Sequence, residues 1–435
     1  SNFWPRPGRL KFQSLGTAPT VRMAGSGAAP LSGVLVVDLT RIVAGPHCTK
    51  ILCDLGARVV KVELPREGGD MLRMFAPRVD GGEATTSSAY FAQLNGGKES
   101  IALDLSIDPT TAQPNAPADR EVFERLLSKA DVLVENFRPG RLGRLGLSWD
   151  VLHARYPQLV LCSISGFGQT GPYQSLAGVD TIIQAMSGFV HTTGFADRGV
   201  KVGTTVSDLL AGVYAAVGVQ AALLARAREG QARRVDISML DTSFAFHAHD
   251  LSMFSVRGQE PVRLGNQGSV SPTMGIWRCA DGEEISVATS PFDVDEIADA
   301  LEAPEIKVDE RFRGYDAMLE NKEALWETMG RAFLTRPRAA WLERLRGRRW
   351  AAGPVNKMAD LAEEPQLRHR QMLRRTADGR FLLVGNPVKV SGVAEAEGAP
   401  PPPALDGHGA AIRTELGVPN TLGEPSPGGT RVSRL

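Results

Sequence analysis

Neither sign of charge predominates in this chain: 49 basic residues are matched by 49 acidic ones. Electrostatic capture of a nucleic acid or an anionic membrane surface draws on a one-signed excess, so the composition speaks against both partners. Cysteine is scarce, with four among 435 residues. Cys48 and Cys53 fall on one predicted helix, too far apart along it to bridge or to share a metal, and no other spacing demands a disulfide. That usage fits a reducing compartment and predicts a cytoplasmic protein. No apolar run is long and uninterrupted enough to span a bilayer; the best, Leu209–Leu224, is alanine-rich and reads as a core helix. Nucleotide fingerprints are missing as well. The turn Arg41-Ile42-Val43-Ala44-Gly45-Pro46 lacks the glycine spacing of a dinucleotide or P-loop site, which excludes NAD and ATP on these grounds. His247 and His249 fall on a predicted helix, where an i,i+2 pair points in different directions, so no metal site is expected.

What is present is the composition of a globular enzyme, glycine- and alanine-rich with moderate charge, at a length that accommodates two domains. Residues 1–30 stand apart. Arg6, Arg9, Lys11 and Arg22 occur there with no acidic residue, as in a mitochondrial transit-peptide remnant, an expression scar, or a start misplaced ahead of Met23. The first of these origins would place the protein in the mitochondrial matrix. From residue 31 the pattern is regular. Val34–Leu39 reads as a buried strand, the next helix is punctuated by Pro46 and Gly56, and Val59–Val62 is a second strand. Such a unit predicts a parallel pair with a right-handed crossover. Strands at Ser100–Leu103, Val132–Glu135 and Leu159–Ile164 continue the alternation, with helices at Arg120–Lys129 and Trp149–Tyr156. Residues 31–240 are therefore expected to form an open, doubly wound parallel α/β sheet. Residues 241–350, with strands at Met274–Arg278 and Glu284–Ala288, predict a smaller α+β domain. Residues 351–420 return to the large domain, starting at Gly353-Pro354-Val355-Asn356, with a hairpin around Asp378-Gly379; 421–435 read as a flexible tail.

Ligands of such sheets bind beyond the carboxyl ends of the strands. Arg41 and the backbone around Ile42 and Ala44 follow the first strand and offer an anion site at a helix start. Asn136-Phe137-Arg138-Pro139-Gly140 follows another strand, and Arg138, Arg141 and Arg144 there either hold phosphates or form a solvated basic loop. The glycine-rich loop from Ser165 to Pro172 lets backbone approach a ligand closely. Asp180 opens a short helix. In Thr204-Thr205-Val206-Ser207-Asp208, Ser207 is the expected N-cap and Asp208 lies in the first turn, where the helix dipole favours an ionised carboxylate. Leu209, Leu210, Val213 and Val217 recur at helical spacing and predict the buried face. These residues alone leave Asp208 two roles, a structural cap or a nucleophile.

In order along the chain, LSGVLVVDLTRIVAGPHCTKILCDLGARVVKVELP, GGKESIALDL, DVLVENFRPGRLGRLGL, LVLCSISGFGQTGPY, LAGVDTIIQAMSG and TTVSDLLAGVYAA resemble the class III CoA-transferases. That family comprises formyl-CoA:oxalate, carnitine and succinyl-CoA:dicarboxylate enzymes, with α-methylacyl-CoA racemases as relatives. Together with GQARRVDISMLD, RLGN, GPVNKMADLAEEPQL and GNPVKVSG, the matching segments run from about Leu31 to Gly417. The resemblance implies an interlocked homodimer, no permanently bound cofactor, and a coenzyme A thioester as substrate. It implies a nucleophilic Asp208 that passes through an anhydride and an aspartyl-CoA thioester; Asp180, a second first-turn carboxylate near the glycine-rich loop, is either a separate cap or a candidate for positioning or charge balance. It places CoA by Arg41, Ile42 and Ala44 on one side and by Asn136, Phe137 and Arg144 on the other, with Lys61, Lys98 and Arg66 as further charged contacts.

Two departures refine the expectation. The racemases carry a histidine where this chain has Val179, and His191 belongs to a different turn, so proton transfer across an α-carbon lacks one of its two groups. Formyl-CoA transferases carry a run of glycines where Arg263-Leu264-Gly265-Asn266-Gln267-Gly268 stands here. That favours other dicarboxylic acids over oxalate or formate and offers Arg263 and Asn266 to a distal carboxylate. The expected activity is transfer of CoA from succinyl-CoA or another short dicarboxylyl-CoA to a free carboxylic acid. Its rivals are an α-methylacyl-CoA racemase and a CoA-binding relative without turnover.

Overall fold

Short valine-rich runs form the central sheet because they are buried on both faces, which is also why they read as nearly continuous apolar stretches. The computed structural model describes residues 27–79, 88–268, 271–289, 293–393 and 398–418. Most of the basic extension and the tail from Pro425 lie outside these described residues. Along the chain come β1 (Leu35–Asp38), α1 (Ala44–Asp54), β2 (Arg58–Glu63), α2 (Ala89–Asn95), β3 (Glu99–Ala102) and α3 (Pro117–Lys129). Then follow β4 (Val132–Glu135), α4 (Arg141–Arg144), α5 (Trp149–Arg155), β5 (Val160–Ser165), α6 (Asp180–Met186) and α7 (Phe189–Thr192). Helix α8 (Val206–Glu229) leads to β6 (Arg234–Ser238), α9 (Met239–Phe244) and α10 (Ala248–Arg257). The six strands are parallel in the order β3-β2-β1-β4-β5-β6, the doubly wound arrangement expected. Val36 pairs with Val59 of β2 and Val132 of β4, fixing the register at the centre. Phe123, Leu127 and Leu152 from α3 and α5 cover one face; Cys48, Leu52, Ile183 and Ala215 from α1, α6 and α8 cover the other.

Helix α8 corrects the expected buried face. Val213 is 44% and Val217 57% exposed, whereas Ala211, Ala215, Ala216 and Val219 are buried. Small side chains face inward because α8 lies close against α1. A Cβ on Gly212 would stand 2.8 Å from the Ala44 carbonyl oxygen and 2.9 Å from the His47 ring. Gly212→Ala is therefore expected to lower stability by about 1–3 kcal/mol, outweighing the ~1 kcal/mol gained in helix propensity, as read from the denaturant midpoint. The helix is also long and apolar enough, by length and composition, to cross a membrane, contrary to the expectation that no run qualifies. Its interruption by Gly212 and Gly218 does not shorten it, because both glycines lie within one continuous helix.

The remaining differences are local. The single helix expected to carry both His247 and His249 is two helices, α9 and α10, joined by a 3-10 turn at Ala245–His247. A three-stranded antiparallel sheet follows, made of β7 (Met274–Arg278), β8 (Glu284–Thr289) and β9 (Trp350–Pro354), packed on Leu325, Met329, Phe333 and Trp341. Gly353 and Pro354 thus belong to this sheet, and the return toward the large sheet starts beyond them. The hairpin around Asp378-Gly379 pairs Leu373–Arg375 with Leu382–Val384. Residues 400–403, four consecutive prolines, form a strap along the large unit: Pro401 O accepts from Gly97 N at 3.2 Å and Pro403 O from Arg73 Nη1 at 2.9 Å.

Candidate active site

The order of the sheet reverses between β1 and β4, so the loops leaving these two strands border the crevice where doubly wound sheets take ligands. The loop after β1 is held by side chains from four other places. Asp38 Oδ1 accepts from Thr40 N at 2.8 Å, and Lys61 Nζ donates to Thr40 O at 2.7 Å. Asn136, on the loop after β4, clamps Arg41 through both of its amide atoms: Oδ1 accepts from Arg41 N at 2.8 Å and Nδ2 donates to Arg41 O at 2.7 Å. Asp70 Oδ1 accepts from Ile42 N at 3.2 Å. Those bonds hold Ile42 at φ +69°, a left-handed conformation disfavoured for a β-branched residue.

Beneath the loop lies a buried ionic network. Lys98 pairs with Asp38 at 3.0 Å, Lys61 with Asp70 at 3.0 Å, and Arg73 with Glu63 at 2.6 Å; these side chains are essentially inaccessible. Lys98 also donates to Thr49 Oγ1, Asn95 Oδ1 and Pro46 O. Burial works against ionisation of Asp38, but the ammonium groups of Lys98 and Lys61 prevail and lower its pKa to about 2. Lys61 and Lys98, expected as ligand contacts, are therefore internal counter-ions that shape the loop from below. Ala44 is likewise buried, with its carbonyl facing Gly212 of α8.

A cavity of about 100 Å³ opens at the carboxyl ends of β1, β2 and β3, with Arg41, Arg66, Arg141 and Phe137 at its wall. Arg41 lies 5.7 Å from the centre of the Phe137 ring and pairs with Glu67 at 2.9 Å. Leu39, Leu103, Leu105 and Leu145 give the cavity an apolar interior under a basic rim. Arg144 is exposed but does not line it; within the single turn of α4, Arg141 takes that place. Such a rim suits phosphates, and such an interior suits a flat apolar ring system.

On the other side of the same loop, Ile42 and Val43 pack with Leu72, Phe91, Leu94 and Leu209. Leu209 is the neighbour of Asp208. Tyr90 Oη reaches Thr205 Oγ1 at 3.4 Å, tying α2 to the start of α8. The expected N-cap is corrected here: α8 begins at Val206, and Ser207 is inside its first turn. Asp180 does the capping from α6, its Oδ1 accepting from Ser207 N at 2.9 Å and its Oδ2 from Gln184 Nε2 at 2.7 Å. The Ser207 hydroxyl instead accepts from Ser243 of α9 at 3.0 Å. Asp208 has no hydrogen-bonding partner among the described residues. Burial and the nearby charge of Asp180 raise its pKa to about 7, so the dipole-stabilised ionisation expected for it is outweighed. If an Asp208 carboxylate initiates the reaction, the rate at limiting substrate rises with pH to a plateau above about 7. Asp180→Asn, by removing the like charge, moves that limb to lower pH, which a pH–rate profile reads directly.

Two further expectations meet the structure differently. Arg263 is committed to backbone, donating to the carbonyls of Phe195, His191 and Ala196 at 2.9, 3.2 and 3.3 Å. It braces the 191–196 segment and is not directed to a substrate carboxylate. Val179 is 62% exposed at the start of α6, and His191 pairs with Glu260 at 3.4 Å.

The CoA-transferase family III profile matches residues 31–409. An acetyl-CoA:oxalate CoA-transferase from Acetobacter aceti is 38% identical over 90% of this chain and 96% of its own length. The chain belongs to CoA-transferase family III. A succinyl-CoA:mesaconate CoA-transferase from Haloarcula hispanica is 34% identical over 89% of this chain and 96% of its own. The solved structure of a CaiB/BaiF family protein from Brucella suis overlays with a TM-score of 0.79 at 35% identity, covering 90% of this chain and all of that one. In this class III CoA-transferase, then, the structure brings Arg41, Asn136 and Phe137 together at one loop and sets Asp180 against the first turn of α8, which carries Asp208. Asp70 and Tyr90 were not foreseen, because they act on the loop and on α8 from separate segments with no periodic signal. Arg141 was legible as one of three arginines, but only the path of α4 selects it.

Proposed function

We propose that the chain transfers CoA from an acyl-CoA donor to a free dicarboxylic acid, with Asp208 as nucleophile. Its family and its relatives support CoA transfer between a thioester and a carboxylic acid. The observation that carries the assignment of Asp208 is the division of labour between two adjacent carboxylates. Asp180 is fully engaged with Ser207 and Gln184, whereas Asp208 is left with no partner among the described residues.

In the reaction a carboxylate oxygen of Asp208 attacks the donor carbonyl carbon, the C–S bond breaks, and CoA leaves as thiolate. The thiolate attacks the aspartyl carbonyl of the mixed anhydride, releasing the donor acid and leaving an aspartyl-CoA thioester. The acceptor carboxylate then expels the thiolate, and the thiolate attacks the acceptor carbonyl to regenerate Asp208. No net proton is consumed. Arg41, Arg66 and Arg141 bind CoA phosphates at the cavity rim, beside Asn136 and Phe137. No resident cofactor takes part. The relatives' named acids, oxalate and mesaconate, are both dicarboxylates. Oxalate accordingly belongs among the acceptors to be tried, and succinyl-CoA and acetyl-CoA among the donors.

A second copy of the chain completes this reading. Val213, Tyr214 and Val217 of α8 are exposed together with Phe244, Phe246 and Phe254 of α9, the following turn and α10. An apolar surface of that kind is expected to be covered by a homodimer partner. Incubation with succinyl-CoA, acid quenching and peptide mass spectrometry should find a CoA or acyl adduct on the peptide carrying Asp208. Turnover without any such adduct, in enzyme whose Asp208→Ala variant stays active, would sink the assignment.

A further inference from the structure

We propose that Glu135 is a positioning residue for the CoA thioester: its carboxylate holds the loop that presents Asn136 and Phe137, and so sets affinity for CoA. This inference rests on the function proposed above and names a residue that does not itself touch the ligand.

Glu135 is the last residue of β4 and is 2% exposed. Its Oε2 accepts from Phe137 N at 2.7 Å, bending the chain back on itself directly after the strand. The residue enclosed by that bend is Asn136, which grips both backbone groups of Arg41; the residue that closes it is Phe137, whose ring lies against the Arg41 guanidinium. One carboxylate thus fixes three of the residues assigned to CoA. Across the sheet Glu135 pairs in register with Ser163 of β5, and Ser163 with Asp236 of β6. Asp236 repeats the device at the next loop, accepting from Gln169 N through both oxygens at 3.1 and 3.2 Å.

An ionised carboxylate accepts an N–H bond more strongly than a protonated one. Burial raises the pKa of Glu135 to about 7. The charged groups that face it are Arg234, which lowers the pKa, and Asp236, which raises it, both on β6. The neighbouring thiol Cys162 on β5 is itself held neutral by its contact with Cys48 and by burial. Glu135 therefore exchanges its proton across the neutral range, and the loop is held more firmly as pH rises.

The test compares wild type, Glu135→Gln and Glu135→Leu in the full chain. KM for the acyl-CoA donor, kcat, and the Kd of CoA are measured from pH 6 to pH 8. Glutamine keeps an acceptor for the Phe137 N–H but neither charges nor titrates; it is expected to raise KM roughly threefold to tenfold at pH 8 with kcat nearly unchanged. Leucine removes the acceptor and should raise KM further. The phosphates of CoA and the Asp208 carboxyl titrate in all three proteins, so the decisive quantity is the difference between profiles. Wild-type affinity should improve with pH by more than that of the glutamine variant. Equal KM and parallel profiles in wild type and both variants, or losses confined to kcat and thermal stability, would overturn the role of Glu135 alone. A wild-type protein that neither binds nor transfers CoA would overturn the functional reading as well.

Discussion

Asp208→Asn is expected to lower kcat for CoA transfer by a factor on the order of 10³ or more while leaving the Kd of CoA within about threefold. The amide is nearly the same size and keeps the first turn of α8 intact, but its oxygen is a poor nucleophile toward a thioester carbonyl. Affinity is preserved because the cavity lined by Arg41, Arg66 and Arg141 lies on the opposite side of the Thr40–Val43 loop from Leu209, the neighbour of Asp208. Steady-state kinetics with calorimetric titration of CoA separates the two quantities. A loss shared equally between kcat and affinity would point to a binding role for this carboxylate. The Asp180→Asn variant supplies the contrast, since its main effect is expected on the pH at which the rate rises.

Lys98→Met is expected to destabilise the fold by about 3–5 kcal/mol, the largest loss of stability we anticipate for a single substitution here. Lys98 reaches Asp38, Thr49, Asn95 and Pro46 from a position with no solvent access. Removing it strands the buried Asp38 carboxylate with only part of its compensation. The double variant Lys98→Met/Asp38→Leu should recover part of the loss, because the uncompensated charge is gone. Chemical denaturation of wild type, of the singles Lys98→Met and Asp38→Leu and of the double variant measures both effects; a double variant as unstable as the sum of the two singles would refute the coupling. On the acid side the sign with pH is set by Asp38. Its pKa is lowered from 3.8 to about 2, so its contribution is present above about 4 and is lost as pH falls toward 2.

The sheet was legible in the sequence because its strands are buried on both faces and its helices are punctuated by proline and glycine. The loops after β1 and β4 were legible as the place for a candidate site because a doubly wound topology sets them at the crevice. What the sequence hid is the partnership between distant segments. Ser207 has the right chemistry for a cap, yet the side chain that binds its backbone is Asp180, on another helix. Lys61 and Lys98 look like surface cations in a list of residues; only the fold shows carboxylates waiting for them in the interior. In α8 the apolar residues Val213 and Val217 fall on the outer face, since the inner one is built largely of alanines that allow close approach to α1. Arg263 had the charge to receive a carboxylate, but three carbonyls had already taken its donors.

The loop from Thr40 to Val43 has a consequence for how affinity is distributed. Both backbone groups of Thr40 and of Arg41 and the N–H of Ile42 are already bonded to Asp38, Lys61, Asn136 and Asp70. Under the proposed function, a thioester arriving at this loop meets a wall with little conformational freedom left to lose, so association there carries a small ordering penalty. Free CoA and its various thioesters should share this advantage equally. Discrimination among acyl groups must then arise beyond the loop, on the side of Asp208, where the walls can change without loosening the grip on the carrier.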